Sequence, residues 1–544
     1  MSHTASLMAA STSYSMNSIG SQIGYKVRSL AQLGRPAINI QLDGAETSGA
    51  ARASYVTSYS TMDRIQGTVS ITTGNDTRFD EIEIAFIGVA KTHVDRLTST
   101  PTISGRSEAT HRFLKLVMPL DHSLMPQPRI LYAGQTQTFP FTFVVPEQLL
   151  PRACTHRTDS IHVHQRHLEL PPSLGDPELA GFNGMLLDDL APDMSRITYG
   201  IKVKVTQFRD VDSTILTLGE KMRKVRVKPA FEVQPPINVD SRDKEYRLRQ
   251  ERVIRKGLFK GKLGTLVMES SQPKSLVIPG ARSPSGTTLS TMTKILLRFD
   301  PADESAQPPR FGSLNSKIKV TTFFASTPRM NFPNRSTNEF DLMSGFYSEM
   351  LDLSKMCVAS AQWHRHESEA SLALARRDSG VSSDCSEQGR NSSSSLPHTN
   401  THTYSTANAT KNYKGKSFYT ATLLVPITLP ENKSFVPTFH SCLISRVYSL
   451  NLSLSVHAPG IGDPSMTVKV PIQIAADTSE SGAARIRETR AESLAIQDAN
   501  EMWTPRSVAP AQLSTMAGGD GPPDYSAFAS AHPSSHTRAM AIQT

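Results

Sequence analysis

Again and again along its 544 residues this chain places an apolar residue at every second position. Such a run folds as a strand, because successive side chains leave a strand on opposite faces and only one face then meets a core. In Arg64 to Thr72, Ile65, Val69 and Ile71 share a parity with Gly67, while Gln66, Thr68, Ser70 and Thr72 take the other. Thr73-Gly74-Asn75-Asp76 supplies turn chemistry, after which Ile82, Ile84 and Phe86 alternate with Glu81 and Glu83, so a hairpin is expected here. Phe139, Phe141, Phe143 and Val145 repeat the period, as do Ile197, Tyr199, Ile201, Val203 and Val205. Pro140 interrupts the first of these runs, and without an N–H it fits only an edge strand or a bulge. No helical period competes. Half-buried strands joined by Gly, Pro and Asn turns predict an all-β chain of antiparallel, immunoglobulin-like sandwiches.

The order of the runs predicts two tandem lobes. The first, 36–238, closes near Val225-Arg226-Val227-Lys228-Pro229 and contains a polar insertion, 152–195, expected as a loop. The second, 239–475, takes its strands from Gly264 to Met268, Lys294 to Phe299, Ile318 to Phe324, Phe346 to Trp363, Phe418 to Leu429, Leu450 to Val456 and Met466 to Ile474. Three segments have too little apolar surface to order themselves and are expected to be disordered: a leader, 1–35, an insertion rich in Ser, Thr and Asn, 365–412, and a C-terminal tail, 476–544. A hydrophobic share of 38%, low for a chain packed throughout, agrees with that division.

Charge is concentrated. The net charge is +9, and residues 221–262 alone hold 14 Lys and Arg against 5 Asp and Glu. Within this window Arg247, Arg249, Arg252, Arg255, Lys256, Lys260 and Lys262 form a candidate patch for an anionic partner such as a membrane surface, and a solvated linker accounts for them equally well. No nucleic-acid partner is expected, since no zinc spacing, RNP-like sequence or stacking-aromatic pattern accompanies the charge. Met1 to Leu30 carries no apolar core of signal-peptide length and no later run approaches a membrane span, which predicts a cytoplasmic chain. Cys154, Cys357, Cys385 and Cys442 stand far apart with no C-x-x-C pair, so reduced thiols are expected.

Catalytic signals are missing. Gly415-Lys416-Ser417 ends like a phosphate-binding loop, but Thr410 stands where that loop needs Gly, and neither a Gly-x-Ser-x-Gly elbow nor a His-Glu-x-x-His helix occurs. A non-enzyme without cofactor is expected. Cys154, His156, His162, His164 and His167 crowd one short stretch, yet on a strand His162 and His164 would share a face without completing a tetrahedron, so they read as a polar loop with surface histidines and no metal is assigned. Arg376-Arg377-Asp378-Ser379 resembles a basophilic kinase site, making Ser379 a candidate phosphorylation site. Pro522-Pro523-Asp524-Tyr525 has the chemistry of a WW-domain ligand: two prolines preset a polyproline II turn, and Tyr525 adds a ring for an aromatic groove. With 35 Pro and 13 Tyr in the chain, roughly 0.05 such matches are expected by chance.

Ile65-Gln66-Gly67-Thr68-Val69, the stretch Ala133 to Pro146 with its Phe139-Pro140-Phe141-Thr142-Phe143 center, Val436-Pro437-Thr438-Phe439-His440 and Ile444 to Leu450 together resemble arrestins, specifically the α-arrestin or arrestin-related trafficking adaptor branch. The resemblance implies two arrestin-like sandwich lobes and an adaptor. In that family a C-terminal Pro-Pro-x-Tyr recruits the WW domains of a HECT-type ubiquitin ligase, here through Pro522, Pro523 and Tyr525, while the body engages a membrane transporter or receptor as cargo. It also implies cytoplasmic residence with peripheral recruitment to plasma membrane or endosomes. The alternative is an arrestin-fold coat or cargo-retrieval scaffold acting without a ligase.

Overall fold

The alternating runs do become strands, and their register shows why. β1 (Ala37–Leu42), β2 (Arg64–Thr72), β3 (Glu81–Asp95), β4 (Arg106–Val117), β5 (Thr136–Val144), β6 (Ser195–Arg209) and β7 (Thr214–Val227) build the N-terminal lobe. The computed structural model describes residues 35–43, 58–95, 105–176, 187–210, 212–239, 243, 245–257, 261–280, 289–338, 341–367, 406–410, 413–458 and 464–503. One sheet has the order β1-β2-β5, and the facing sheet runs β7-β6-β3-β4, with the short strand Ser58–Tyr59 beside β7. Ile65, Val69 and Ile71 point inward from β2 with no exposure, as do Ile84 and Phe86 from β3 and Tyr199, Ile201 and Val203 from β6. Phe86 and Phe143 belong to different sheets and meet at 6.0 Å between ring centroids, so the two inner faces form one core.

Two local expectations resolve differently. Pro140 opposes Thr68 on β5, an edge strand of its sheet, where its missing N–H costs no ladder bond. The expected hairpin between β2 and β3 does not form: β2 pairs with β1 and β5, and β3 pairs with β4 and β6 in the other sheet. The turn residues serve a crossing instead. Asp76 accepts the Ala133 N–H at 2.8 Å and the Thr73 carbonyl accepts the Gly134 N–H at 2.9 Å, pinning the connection to the segment that enters β5.

The second lobe comprises β8 (Arg249–Arg255), β9 (Lys262–Ser270), β10 (Ser290–Pro301), β11 (Arg310–Ala325), β12 (Ser344–Cys357), β13 (His364–Glu367), β14 (Ser417–Thr428), β15 (Ile444–His457) and β16 (Ser465–Ile472). Its sheets are β8-β9-β10-β14-β13 and β12-β11-β15, with β16 also on β15. Leu266, Ile295, Leu297, Phe299 and Val425 face Ile318, Leu450, Leu452, Leu454 and Val468 in a second core. The basic window is therefore not a linker throughout, because Arg249–Arg255 is an antiparallel partner of β9.

The segment expected as a loop and two of those expected to be disordered contain some order. Residues 152–195 hold the helix α1 (Ile161–His167), whose Ser160 cap accepts the Val163 N–H at 3.3 Å. At the margins of 365–412, residues through Glu367 lie in β13 and Ala407 is buried, while 368–405 fall outside the described residues. In the tail, α2 (Glu480–Trp503) forms from a stretch rich in Ala, Glu and Arg, with the Ser479 hydroxyl accepting the Gly482 N–H at 3.0 Å. At 1.5 Å per residue α2 is about 36 Å long. The chain divides into two compact units, the first ending at Arg487 within α2 and the second beginning at Glu488. The leader before residue 35 lies outside the described residues.

Candidate functional site

The candidate WW-domain ligand Pro522, Pro523 and Tyr525 and the candidate phosphorylation site Ser379 lie outside the described residues, as does Lys260. Among the remaining members of the basic patch, Arg247, Arg252, Arg255 and Lys262 are exposed. Arg249 is committed internally: it pairs with Glu251 at 2.6 Å and with Glu269, and donates to the Asn408 and Ala409 carbonyls at 3.0 and 3.1 Å. Arg252 donates to the Ser465 carbonyl at 2.5 Å, and Lys256 pairs with Asp303 at 2.9 Å. The field available to an anionic partner is thus smaller than the residue count suggests, since a paired cation contributes little beyond its partner.

The lobes meet through buried polar contacts that no local pattern announced. Arg446 of β15 has no solvent exposure, and its Nη1 and Nη2 donate to the Asp189 and Leu190 carbonyls of the N-lobe at 3.1 Å each. The receiving loop is itself fixed: Asp189 accepts the Gly175 N–H at 2.7 Å, and Asp188 accepts the Leu190 N–H at 2.8 Å. Leu190 has φ 59°, a left-handed conformation that a branched side chain adopts only where neighbours hold it. Around it Arg226 donates to Ser434 at 2.7 Å, Lys433 pairs with Asp188 at 2.8 Å and Thr92 donates to the Ala325 carbonyl at 2.6 Å, each bond joining one lobe to the other. Burial lowers the Arg226 pKa, against the pull of Asp189 nearby.

A second meeting point lies at the cysteine and histidine stretch. Cys154 follows the short 3-10 turn Pro151–Ala153, His167 ends α1, and Cys442 sits in the turn before β15, where the Ser441 hydroxyl donates to the Ile444 carbonyl at 2.8 Å. Arg329 N–H donates to the Cys442 carbonyl at 2.9 Å, fixing that turn from the other side. The stretch is not the surface loop expected. Cys154, His167 and Cys442 are buried, His156 is half-buried and His162 is exposed. His162 and His164 share no strand face, because they lie on a helix, and the His164 ring instead approaches the Cys154 carbonyl at 3.3 Å. Burial raises the Cys154 and Cys442 thiols above their ordinary range. The sequence crowds Cys154, His156 and His167 into one stretch with His162 and His164 but gave no reason to assign them a metal; Cys442 comes from the other lobe and had no spacing signal.

A cleft of about 440 Å³ also opens where the lobes adjoin, with Phe231, Tyr246, Phe323, Phe332 and Tyr448 among its walls. No helix among the described residues is long and apolar enough to cross a membrane.

A search of curated proteins matched nothing. Residues 335–476 match the family model described as Bul1 C terminus, a span that runs from β12 through β16 and includes Arg446 and Cys442. This agrees with the arrestin resemblance and with the observed all-β, arrestin-like fold. Residues 335–476 are thus similar to the Bul1 C terminus family, a family of arrestin-related, non-catalytic adaptors of the Rsp5 ligase.

Proposed function

We propose that this protein is a non-enzymatic adaptor that recruits a WW-domain HECT-type ubiquitin ligase through Pro522, Pro523 and Tyr525 and presents to it a membrane transporter or receptor held by the two-lobed body. The observation that carries this reading is the match of residues 335–476 to the Bul1 C terminus family in a chain that also contains Pro522-Pro523-Asp524-Tyr525. The ligand and the body play separate roles. A WW groove reads two prolines and an aromatic ring and is indifferent to what the body holds, so cargo choice resides in residues 38–475. Each contact alone is weak, and joining them in one chain raises overall binding by about 10²–10⁴ when both engage together.

The adaptor works in the cytoplasm and moves to plasma membrane or endosomes with its cargo, where exposed Arg247, Arg252, Arg255 and Lys262 meet anionic headgroups. Reconstitution tests the reading: a purified ligase and a membrane protein in vesicles are incubated with the full chain or with a chain lacking residues 518–530. Cargo ubiquitination that depends on the full chain and is lost with the deletion supports the adaptor. Equal modification with both chains favours a scaffold acting without a ligase.

A further inference from the structure

Four soft ligand atoms converge between the lobes. The sulfurs of Cys154 and Cys442 and one ring nitrogen each of His156 and His167 all lie within 4.8 Å of one another. Cys154 Sγ is 3.3 Å from His156 Nε2 and 3.7 Å from His167 Nδ1. A tetrahedral zinc ion with Zn–S of about 2.3 Å and Zn–N of about 2.0–2.1 Å sets a sulfur and a nitrogen ligand about 3.6 Å apart, so the observed spacings bracket the edge of such a tetrahedron.

The surroundings fit the same ion. His156 Nδ1 donates to the Arg157 carbonyl at 3.0 Å, an arrangement that puts the proton on Nδ1 and turns the Nε2 lone pair toward Cys154, as an outer hydrogen bond does for a metal-bound imidazole.

We infer that Cys154, His156, His167 and Cys442 form a closed structural zinc site that fastens the C-lobe to the N-lobe. Binding releases one proton from each thiol and leaves Zn²⁺ balanced by two thiolates, with both imidazoles neutral. Four protein ligands leave no open position, so the site is structural and not catalytic. It acts beside the Arg446 contacts: the guanidinium ties β15 to the 188–190 loop, and the ion ties the turn before β15 to the segment around α1.

The test uses the full chain purified in a phosphine reductant. Metal content by mass spectrometry is expected at one zinc per chain after gel filtration, and Co²⁺ replacing zinc is expected to give the visible bands of a tetrahedral ion with a sulfur charge-transfer band. Cys442→Ala and His167→Gln are each expected to weaken zinc binding at least tenfold in a chelator competition, whereas His162→Gln, a neighbour that points elsewhere, keeps it unchanged. The cobalt spectrum of the unmodified chain stands even where a variant fails to fold. Absence of stoichiometric zinc after titration, an octahedral cobalt spectrum, equal loss in His162→Gln and His167→Gln, or a Cys154–Cys442 disulfide that persists in the reductant would each overturn the site.

Discussion

Arg446 and Asp189 are joined across the two lobes by a 3.1 Å bond from a fully buried guanidinium to a backbone carbonyl. The second arm of the fork reaches the Leu190 carbonyl at the same distance, so one side chain holds two consecutive peptide groups, one of them in a left-handed conformation. Arg446→Leu would leave both carbonyls buried without this donor, at a cost of about 2–5 kcal/mol. Arg446→Lys retains a charge but cannot span the fork, and is expected to recover less than half of the loss. Denaturant unfolding measures both. A loss below about 1 kcal/mol for Arg446→Leu would show that the fork does not hold the lobes.

Gly67 of β2 lies opposite Leu42 of β1 and Phe141 of β5. A Cβ there would collide with the Gln41 carbonyl and come within 2.8 Å of the Phe141 ring, so the glycine of the Ile65-Gln66-Gly67-Thr68-Val69 stretch is required by packing. Gly67→Ala is expected to destabilise the chain by roughly 1–3 kcal/mol, since an edge strand and a buried ring must both move. The thermal midpoint reads this directly. An unchanged midpoint would mean that β1 yields without cost.

Lys228 supplies a pH dependence. Burial, with Arg226 nearby as the lesser cause, pushes its pKa from the ordinary 10.5 down to about 7. Between pH 7 and 10.5 the unfolded chain keeps this proton and the folded chain releases it, so stability rises with pH across that window; below pH 7 both forms are charged and the full penalty is carried. Lys228→Met removes the penalty and the slope together. With part of the side chain still hydrated, the gain near pH 7 is about 1–3 kcal/mol. Unfolding curves at pH 7 and pH 10 check it: the substitution should stabilise more at the lower pH, and the opposite order would contradict the assignment.

How much of this was legible follows from what each residue needs. Ile65, Phe139, Tyr199 and Leu450 announce their strands because buried apolar residues alternate there with polar or small ones, and the period survives in the sequence. Arg106–Val117 and Arg249–Arg255 do not, because they are edge strands with few buried side chains and carry no apolar alternation. Pairing was less legible than strand identity: nothing in Thr73 to Asp76 distinguishes a hairpin turn from a crossing between sheets. The polar, Ala-rich α2 was missed for the same reason as the edge strands, having no apolar face along residues 488–500. Arg446 lies in the arrestin-like stretch Ile444 to Leu450 and Cys442 just before it, but their partners, Asp189 and Cys154, are remote in sequence and become neighbours only once both lobes have folded.

The exposed part of the basic patch makes its own prediction. Arg255→Glu combined with Lys262→Glu should weaken cosedimentation with anionic vesicles several-fold at low salt, and the difference should shrink as ionic strength rises. Lys256→Gln should do less, because Lys256 is already paired with Asp303. Equal effects from the paired and exposed residues would show that the patch does not meet a membrane as a field of free cations.

The adaptor reading depends most on Tyr525, the aromatic ring of the proposed WW ligand. The decisive measurement is the affinity of the full chain and of its Tyr525→Ala variant for isolated WW domains of a HECT-type ligase, by calorimetry. Removal of the ring is expected to weaken binding at least tenfold, with the thermal midpoint of the body unchanged. Equal binding by both chains, or by neither, would contradict ligase recruitment through Pro522, Pro523 and Tyr525.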